Sequence, residues 1–180
     1  MTAGGAGDGS QERRLLRLIA RKLYNAWAMI ALDLPDEAAT VALAHRISRL
    51  AQLGDIIALK GDLGVGKTAF ARAFIRSRGG QEEVPSPTFT LVQIYDLHPA
   101  IWHFDLYRLR HPEEAWELGI EDAFSAGISL IEWPERLDTL LPERRLEICF
   151  TFGREPDARY ATLDPGSGWG PRLAANTADA

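Results

Sequence analysis

Residues 61–68, Gly61-Asp62-Leu63-Gly64-Val65-Gly66-Lys67-Thr68, fit the pattern G-x-x-x-x-G-K-[S/T] at every fixed position. They follow a short apolar run, residues 55–60 (DIIALK), which has the length and composition of a buried strand. A helical pattern with Phe70, Phe74 and Ile75 on one side comes next. This order of strand, glycine-rich turn and helix predicts an α/β fold built around a phosphate-binding loop.

Each residue type in this loop has a chemical role. Glycines let the backbone curl so that successive N–H groups face a phosphate, and the positive end of the following helix adds to the attraction. Lys67 is placed to reach the β- and γ-phosphates, and the Thr68 hydroxyl can ligate Mg²⁺. All eight residues of the loop are therefore predicted to bind the phosphates of a nucleotide.

The composition excludes several classes of protein. The chain has 180 residues, of which 46% are apolar and 25% charged, as in a single globular domain. Its net charge of −5 argues against a free-standing nucleic-acid binder. Cys149 is the single cysteine, which excludes a disulfide framework or a Cys-based zinc site within one chain. No run of 18 apolar residues occurs, so no membrane span is expected.

The domain is predicted to cover residues 29–163. Residues 1–28 are expected to be an N-terminal extension. Residues 1–10 are small, Gly-rich and polar, which indicates disorder, and the apolar residues that follow recur at spacings of three and four, which allows a loose amphipathic helix. Residues 164–180 are rich in Gly, Pro, Ala, Asn and Asp, which indicates a flexible tail. The first helix of the domain is predicted to begin at Asp33-Leu34-Pro35-Asp36, with an aspartate cap and an early proline.

Outward from the loop, the pattern predicts a mixed sheet with helices on both faces. Residues 88–95 and 101–107 are separated by a short connection, which favours a hairpin. Residues 128–132 form a third core strand, and residues 146–152 and 160–163 are expected to pair with each other. The fold class is therefore P-loop NTPase-like α/β in a single domain.

Four further blocks follow the loop in order and narrow the assignment. They are residues 86–92 (SPTFTLV), 102–109 (WHFDLYRL), 118–122 (LGIED) and 130–135 (LIEWPE). With the loop, they closely resemble the TsaE family, formerly YjeE, over about residues 33–155. That family consists of small bacterial P-loop ATPases needed to make threonylcarbamoyladenosine in tRNAs that read codons beginning with A.

The resemblance implies cofactors, partners and location. The expected cofactors are ATP and Mg²⁺, and the expected reaction is slow ATP hydrolysis that partners stimulate. The expected partners are TsaD, which transfers the threonylcarbamoyl group to adenosine, and TsaB, which supports it. Contact with tRNA is expected only through these proteins, which agrees with the acidic net charge. A cytoplasmic protein without membrane contact is expected.

The resemblance also implies catalytic and metal-binding carboxylates. Glu132 ends the strand pattern GISLIE and matches the family glutamate associated with Mg²⁺ and hydrolysis. Asp105 lies in an H-x-D-x-Y-R block, in the position of a Walker B aspartate. Lys67, Asp105 and Glu132 are thus the predicted catalytic residues, and Thr68, Asp105 and Glu132 the predicted ligands of Mg²⁺. The competing interpretations are a strand-end hydrogen bond from Arg108 to Asp105 and a helix cap at Glu132.

Other nucleotide contacts are implied more weakly. Thr88 matches a switch-like family position, held on a stiff arm by Pro85 and Pro87 before it, although a plain strand-entry turn remains open. Glu37 near the first helix and Arg154 after Gly153 match family positions near the nucleotide and bear on how adenine is held. For Trp133, a core role and a functional role remain equally open.

Two other functions compete with the ATPase assignment. A P-loop small-molecule kinase would need an acceptor pocket and an arginine-bearing lid, for which Arg154 and Arg159 are candidates. A non-hydrolytic module would use the nucleotide only to stabilise a partner-docking surface. GTP specificity is not expected, because Asn25 and Asn176 are the only asparagines and neither begins an N-K-x-D pattern.

Overall fold

The computed structural model describes residues 29–80 and 84–175. In these residues the strands are β1 (Ile30–Leu34), β2 (Ile56–Lys60), β3 (Val92–Tyr95), β4 (Ala100–Asp105), β5 (Gly127–Glu132), β6 (Leu146–Phe152) and β7 (Arg159–Asp164). The helices are α1 (Glu37–Leu50), α2 (Lys67–Ser77), α3 (Glu114–Glu117), α4 (Ile120–Ala126) and α5 (Gly166–Ala175), with a 3-10 helix over Pro134–Leu140. The predicted extension, residues 1–28, and residues 176–180 lie outside the described residues.

The strands form one mixed sheet in the order β1-β7-β6-β2-β5-β4-β3. Its centre is parallel, since β2 pairs with β5 and β6, and β5 pairs with β4. The predicted hairpin is present as the antiparallel pair β3–β4, and β7 returns antiparallel to β6. Strand β5 is buried along its whole length, as its apolar sequence predicts for a central parallel strand.

Helices cover both faces of the sheet, which confirms the predicted architecture. Because side chains alternate along a strand, Ile57 and Leu59 of β2 point into the core under α1 and α2. Ile56 lies in the second core, with Phe104 and the side chains of α3 and α4. The central strands therefore bury both faces, and their carboxyl ends lie together at one edge.

The first helix begins later than the sequence pattern predicts. Asp33 lies in β1, opposite Tyr160 of β7, and the cap of α1 is Asp36, whose carboxylate accepts a 2.8 Å hydrogen bond from the Ala39 amide. The prediction of a helix start at Asp33 is wrong because β1 is held by a partner strand about 130 residues away, a pairing that local helix signals do not encode.

The predicted flexible tail is wrong for residues 164–175. Residues 166–175 form α5, which buries Trp169 and Leu173. Arg172 of this helix donates to both carboxylate oxygens of Asp55, at 2.5 and 2.9 Å, and to the Leu50 carbonyl oxygen at 2.9 Å. The small residues suggested a tail, but one tryptophan and one leucine four residues apart are enough to dock a helix.

Candidate nucleotide-binding site

The loop between β2 and α2 forms an open hollow over the start of α2. Gly61, Gly64 and Gly66 have φ values of +128°, +76° and +116°, a region that side chains disfavour. A Cβ added at Gly64 or Gly66 would meet no atom within 4 Å, whereas one at Gly61 would clash with the Phe150 carbonyl oxygen. The backbone is thus bent around empty space at the positive end of a helix, which is the shape a phosphate group fits.

Lys67 is the buried cation of this hollow, with only 4% of its surface exposed. Its Nζ donates to the carbonyl oxygens of Gly61 and Asp62 at 2.6 and 2.8 Å. The same atom lies 3.9 Å from the ring centroid of Trp133, a residue held at a φ of +60°. Burial lowers the pKa of Lys67, and nearby carboxylates, chiefly Glu132, oppose that shift.

Glu132 meets the loop from the end of β5. One carboxylate oxygen, Oε2, accepts a 2.9 Å hydrogen bond from the Thr68 hydroxyl, and the other, Oε1, lies 2.9 Å from His103 Nε2. The side chain is buried, and its residue lies opposite Leu59 on one side and Asp105 on the other. The structure therefore brings Thr68, Glu132 and Asp105 to one edge of the sheet.

Asp105 holds the segment that precedes β3. Its Oδ2 accepts hydrogen bonds from the hydroxyls of Thr88 at 2.6 Å and Ser86 at 3.4 Å, and its Oδ1 accepts one from the Tyr107 amide at 3.2 Å. Arg108, considered as a partner of Asp105, instead lies over the Phe89 ring at 4.4 Å. Thr88 is thus tied to the carboxylate edge, beside the loop.

Two cavities flank the loop. The smaller, about 310 Å³, lies between the loop and the carboxylates, and the larger, about 590 Å³, lies on the side of α1. The cavities share Gly64, Gly66 and Ala69 as lining residues. The smaller is also lined by Leu63, Lys67, Thr68, Ser86, Thr88, Asp105, Tyr107, Glu132 and Trp133, and the larger by Asp36, Glu37, Ala38, Thr40, Val65, Asp157 and Arg159.

A comparison with protein families matches the part of the chain that forms this site. The model described as "Threonylcarbamoyl adenosine biosynthesis protein TsaE" matches residues 34–159, which contain the loop and both carboxylates. The chain belongs to the TsaE family. This agrees with the resemblance found from the sequence blocks alone.

Individual TsaE proteins and a solved structure are similar over most of their lengths. "tRNA threonylcarbamoyladenosine biosynthesis protein TsaE" of Rickettsia bellii is 44% identical over 117 residues, covering 64% of this chain and 81% of that protein. The Haemophilus influenzae protein of that name is 39% identical over 137 residues, covering 72% and 85%. The crystal structure of Bacillus subtilis YdiB has a TM-score of 0.70 and 27% identity, covering 84% of this chain and 95% of that one.

The two weaker nucleotide contacts implied by the TsaE resemblance lie in different places. Glu37 lines the larger cavity. Arg154 is exposed in the β6–β7 connection, outside the lining residues of either cavity. Arg159 of β7 lines the larger cavity, and its Nε donates to the Val65 carbonyl oxygen of the loop at 3.0 Å. An arginine thus contacts the loop from this hairpin, but it is not the one that the motif match selects.

Three contributors were assigned no role by sequence reasoning. His103 and Tyr107 belong to the H-x-D-x-Y-R block, and alternation along a strand places His103 on the face of Asp105. Ser86 carries no separate signal, since a serine before a proline is common in turns. Trp133, left open between two roles, both covers Lys67 and packs against the core.

The donor set fits Mg²⁺ held together with a nucleotide. One hydroxyl and two carboxylates meet at the edge of the smaller cavity, and hard oxygen ligands of this kind suit Mg²⁺. Across the described residues, no group of three or more His, Cys, Asp or Glu side chains forms a metal cluster. Mg²⁺ typically uses one or two protein carboxylates with phosphate and water, so this sparse set is the expected kind.

The described helices were also checked for membrane spans. In residues 29–80 and 84–175, none is long and apolar enough to cross a bilayer.

Proposed function

We propose that this protein binds ATP with Mg²⁺, hydrolyses it slowly, and serves the threonylcarbamoyladenosine modification of tRNA together with TsaD and TsaB. The observation that carries the proposal is the contact between Thr68 and Glu132 at 2.9 Å, next to the buried ammonium of Lys67. A nucleoside triphosphate and its metal require a hydroxyl, a carboxylate and a cation beside a glycine-rich loop, and all three are present here.

The loop and Lys67 would hold the phosphates. No side chain caps the start of α2 at Gly66, and the amides of a helix start offer fixed positive dipoles that need no rearrangement to meet an anion. The Lys67 ammonium is held by carbonyl oxygens and an aromatic ring, so its charge remains available to a phosphate. The two cavities meet at Gly64 and Gly66, which supports a nucleotide that crosses the loop with its nucleoside in the larger cavity.

Thr68, Glu132 and Asp105 would hold the metal. When bound with the nucleotide, Mg²⁺ supplies positive charge that offsets the charge developing on the phosphates. Thr68 would contribute a hydroxyl oxygen from the first turn of α2, and Glu132 would contribute a carboxylate oxygen from the end of β5. Asp105 also bonds the Thr88 hydroxyl, which would keep this switch-like residue beside the smaller cavity.

Slow hydrolysis and dependence on partners agree with the surface of the molecule. The smaller cavity is only partly enclosed, so the site by itself does not exclude water from the phosphates. The net charge of −5 favours action through protein partners over direct binding of tRNA. Since tRNA modification in bacteria takes place in the cytoplasm, the proposed role assigns the protein to that compartment.

Reconstitution of the modification tests this function. Purified TsaD, TsaB, the enzyme that supplies the threonylcarbamoyl donor, ATP and substrate tRNA would be incubated with and without this protein. We expect repeated turnover of modified adenosine, measured by mass spectrometry of digested tRNA, only when the protein is present. Equal modification without it would refute the role in tRNA. ATP consumption that needs a small acceptor metabolite, and not TsaD and TsaB, would support the kinase instead.

A further inference from the structure

His103 is a buried histidine that the proposed mechanism has not used. It lies within β4, its surface is fully buried, and its Nε2 lies 2.9 Å from Glu132 Oε1. Its other ring nitrogen, Nδ1, is buried and has no hydrogen-bond partner among the described residues. Burying an imidazole with one unpaired nitrogen costs free energy that an apolar residue at the same position would not.

The hydrogen-bond pattern around Glu132 identifies the ring nitrogen of His103 that acts as a donor. The Thr68 hydroxyl donates to Oε2 of the carboxylate, and an ionised carboxylate only accepts hydrogen bonds. His103 therefore donates to Oε1 from the Nε2 that faces it. The imidazole is thus the donor that holds Oε1, as the Thr68 hydroxyl is the donor that holds Oε2.

The register of the sheet explains why this contact fixes the carboxylate. Strands β4 and β5 are parallel, with His103 opposite Leu130 and Asp105 opposite Glu132. Glu132 is therefore held from two directions, by a rigid imidazole from the sheet interior and by the hydroxyl of α2 on the loop side. Loss of the imidazole would leave Oε1 buried without a donor, and the carboxylate would be free to rotate away from Thr68.

We propose that His103 is a positioning residue that orients Glu132 toward the metal through the bond from Nε2 to Oε1. The inference rests on the proposed function, because orientation of Glu132 matters only if that carboxylate serves Mg²⁺ and hydrolysis. Hydrogen bonds to a ligating carboxylate are worth roughly 10–100-fold in metal affinity or activity. His103 itself touches neither nucleotide nor metal in this account.

Three variants separate positioning from simple packing. His103→Leu fills the buried position with an apolar side chain and removes the hydrogen-bond donor. His103→Gln supplies an amide nitrogen in place of Nε2. Ser129→Ala is the matched control, because Ser129 is equally buried in the neighbouring strand and its hydroxyl has no partner in the described part of the chain. The measurements are the Mg²⁺ concentration for half-maximal ATP hydrolysis, kcat, and nucleotide affinity without Mg²⁺.

We expect His103→Leu to raise the half-maximal Mg²⁺ concentration or lower kcat by roughly 10–100-fold. Its Mg²⁺-free nucleotide affinity should stay within about twofold of wild type, because the loop amides are untouched. His103→Gln should recover most of the loss, and Ser129→Ala should match wild type. The inference is overturned if His103→Leu melts at a lower temperature yet keeps the wild-type Mg²⁺ dependence, or if the glutamine variant is as impaired as the leucine variant.

A spectroscopic readout tests the contact independently of activity. Nitrogen-15 NMR distinguishes the ring tautomers of the four histidines, and His103→Leu identifies the His103 signals by their loss. We expect protonation at Nε2 in the wild type and loss of this fixed pattern in Glu132→Ala. A ring protonated at Nδ1 alone would overturn the inference whatever the hydrolysis rate. Wild-type protein without Mg²⁺-dependent hydrolysis would instead refute the proposed function, and the tautomer would then decide whether His103 orients Glu132.

Discussion

Strand β2 has a buried charged cluster at each of its ends, and the two clusters are built differently. At the amino end, the Asp55 carboxylate accepts two hydrogen bonds from Arg172, at 2.5 and 2.9 Å. At the carboxyl end, Lys67 forms no ion pair within the described part of the chain, and carbonyl oxygens and an aromatic ring surround its ammonium. In the first cluster the two opposite charges neutralise each other. In the second cluster the charge of Lys67 is left available to an anion.

The difference separates stability from function along one strand. The Asp55–Arg172 ion pair connects α5 to the start of β2, so we expect its loss to destabilise the fold. Burial lowers the pKa of Lys67, which means that the folded protein holds this proton less tightly than the unfolded chain. Charged Lys67 therefore opposes folding at neutral pH, and the penalty fades as pH rises through the lowered pKa toward the ordinary lysine value.

The largest expected effect is the loss of nucleotide binding when the positive charge of Lys67 is removed. Lys67→Ala should weaken ATP affinity or hydrolysis by roughly 100-fold, because one buried charged contact to a phosphate is worth about 3 kcal/mol. Lys60→Ala is the matched control, since this lysine lies one residue before the loop and is paired with Glu147 at 2.8 Å. Calorimetric titration with ATP measures both. Equal affinities for the two variants would remove Lys67 from the phosphate site.

The next effect concerns the metal side of the same cluster. Thr68→Ala and Glu132→Ala should lower Mg²⁺-dependent hydrolysis by roughly 10–100-fold and leave Mg²⁺-free nucleotide binding within a few-fold. Both variants remove oxygen ligands but keep the amide cradle. Hydrolysis assays across a range of Mg²⁺ concentrations measure this, with Glu147→Ala as a carboxylate control outside the lining of both cavities. An unchanged Mg²⁺ dependence in Glu132→Ala would leave that residue with a structural role only.

The opposite end of β2 should show the reverse pattern. Arg172→Leu leaves the Asp55 carboxylate buried without its partner, which costs about 3 kcal/mol, at the lower end of values for broken buried pairs because Arg172 is partly exposed. The melting temperature should fall by roughly 6–12 °C at about 2–4 °C per kcal/mol. ATP affinity at a temperature where the variant is folded should be unchanged. A large loss of affinity with an unchanged melting temperature would contradict the separation of the two clusters.

The smallest expected effect lies on the β6–β7 hairpin. Arg159→Ala should weaken ATP binding by a few-fold, because Arg159 lines the larger cavity and donates to the Val65 carbonyl oxygen of the loop. Arg154→Ala is its matched partner on the same hairpin, and we expect it to bind ATP as wild type does. If Arg154→Ala has the larger effect, the role implied for Arg154 by the family motif is right and the geometric argument for Arg159 fails.

The two ends of β2 cannot be predicted equally well from the sequence. The carboxyl end is encoded locally, because the spacing from Gly61 to Thr68 fixes a turn, a cation and a hydroxyl, and strand alternation aligns Asp105 with His103. The amino end depends on a helix more than 100 residues away, and no local pattern links Asp55 to Arg172. Long-range pairing likewise explains the misplaced helix start.

The role of His103 could be predicted only in part. Alternation along β4 puts its side chain on the face of Asp105, but the partner Glu132 lies on another strand. The sheet order decides which strands are neighbours, and the sequence alone did not establish that order. Trp133 was equally undetermined, because its left-handed backbone, which lets the ring cover Lys67, is rare for a bulky residue.

Thermal melting of wild type and Lys67→Met, each with and without saturating ATP and Mg²⁺, tests the central claim that this end of β2 holds a charge for a nucleotide. Without nucleotide, Lys67→Met should melt at or above the wild-type temperature, because it removes a buried charge and keeps the packing. ATP with Mg²⁺ at about 100 times Kd should stabilise wild type by about 2.7 kcal/mol, or roughly 5–10 °C, and the variant far less. A variant that melts well below wild type, or that ATP stabilises equally, would contradict the account.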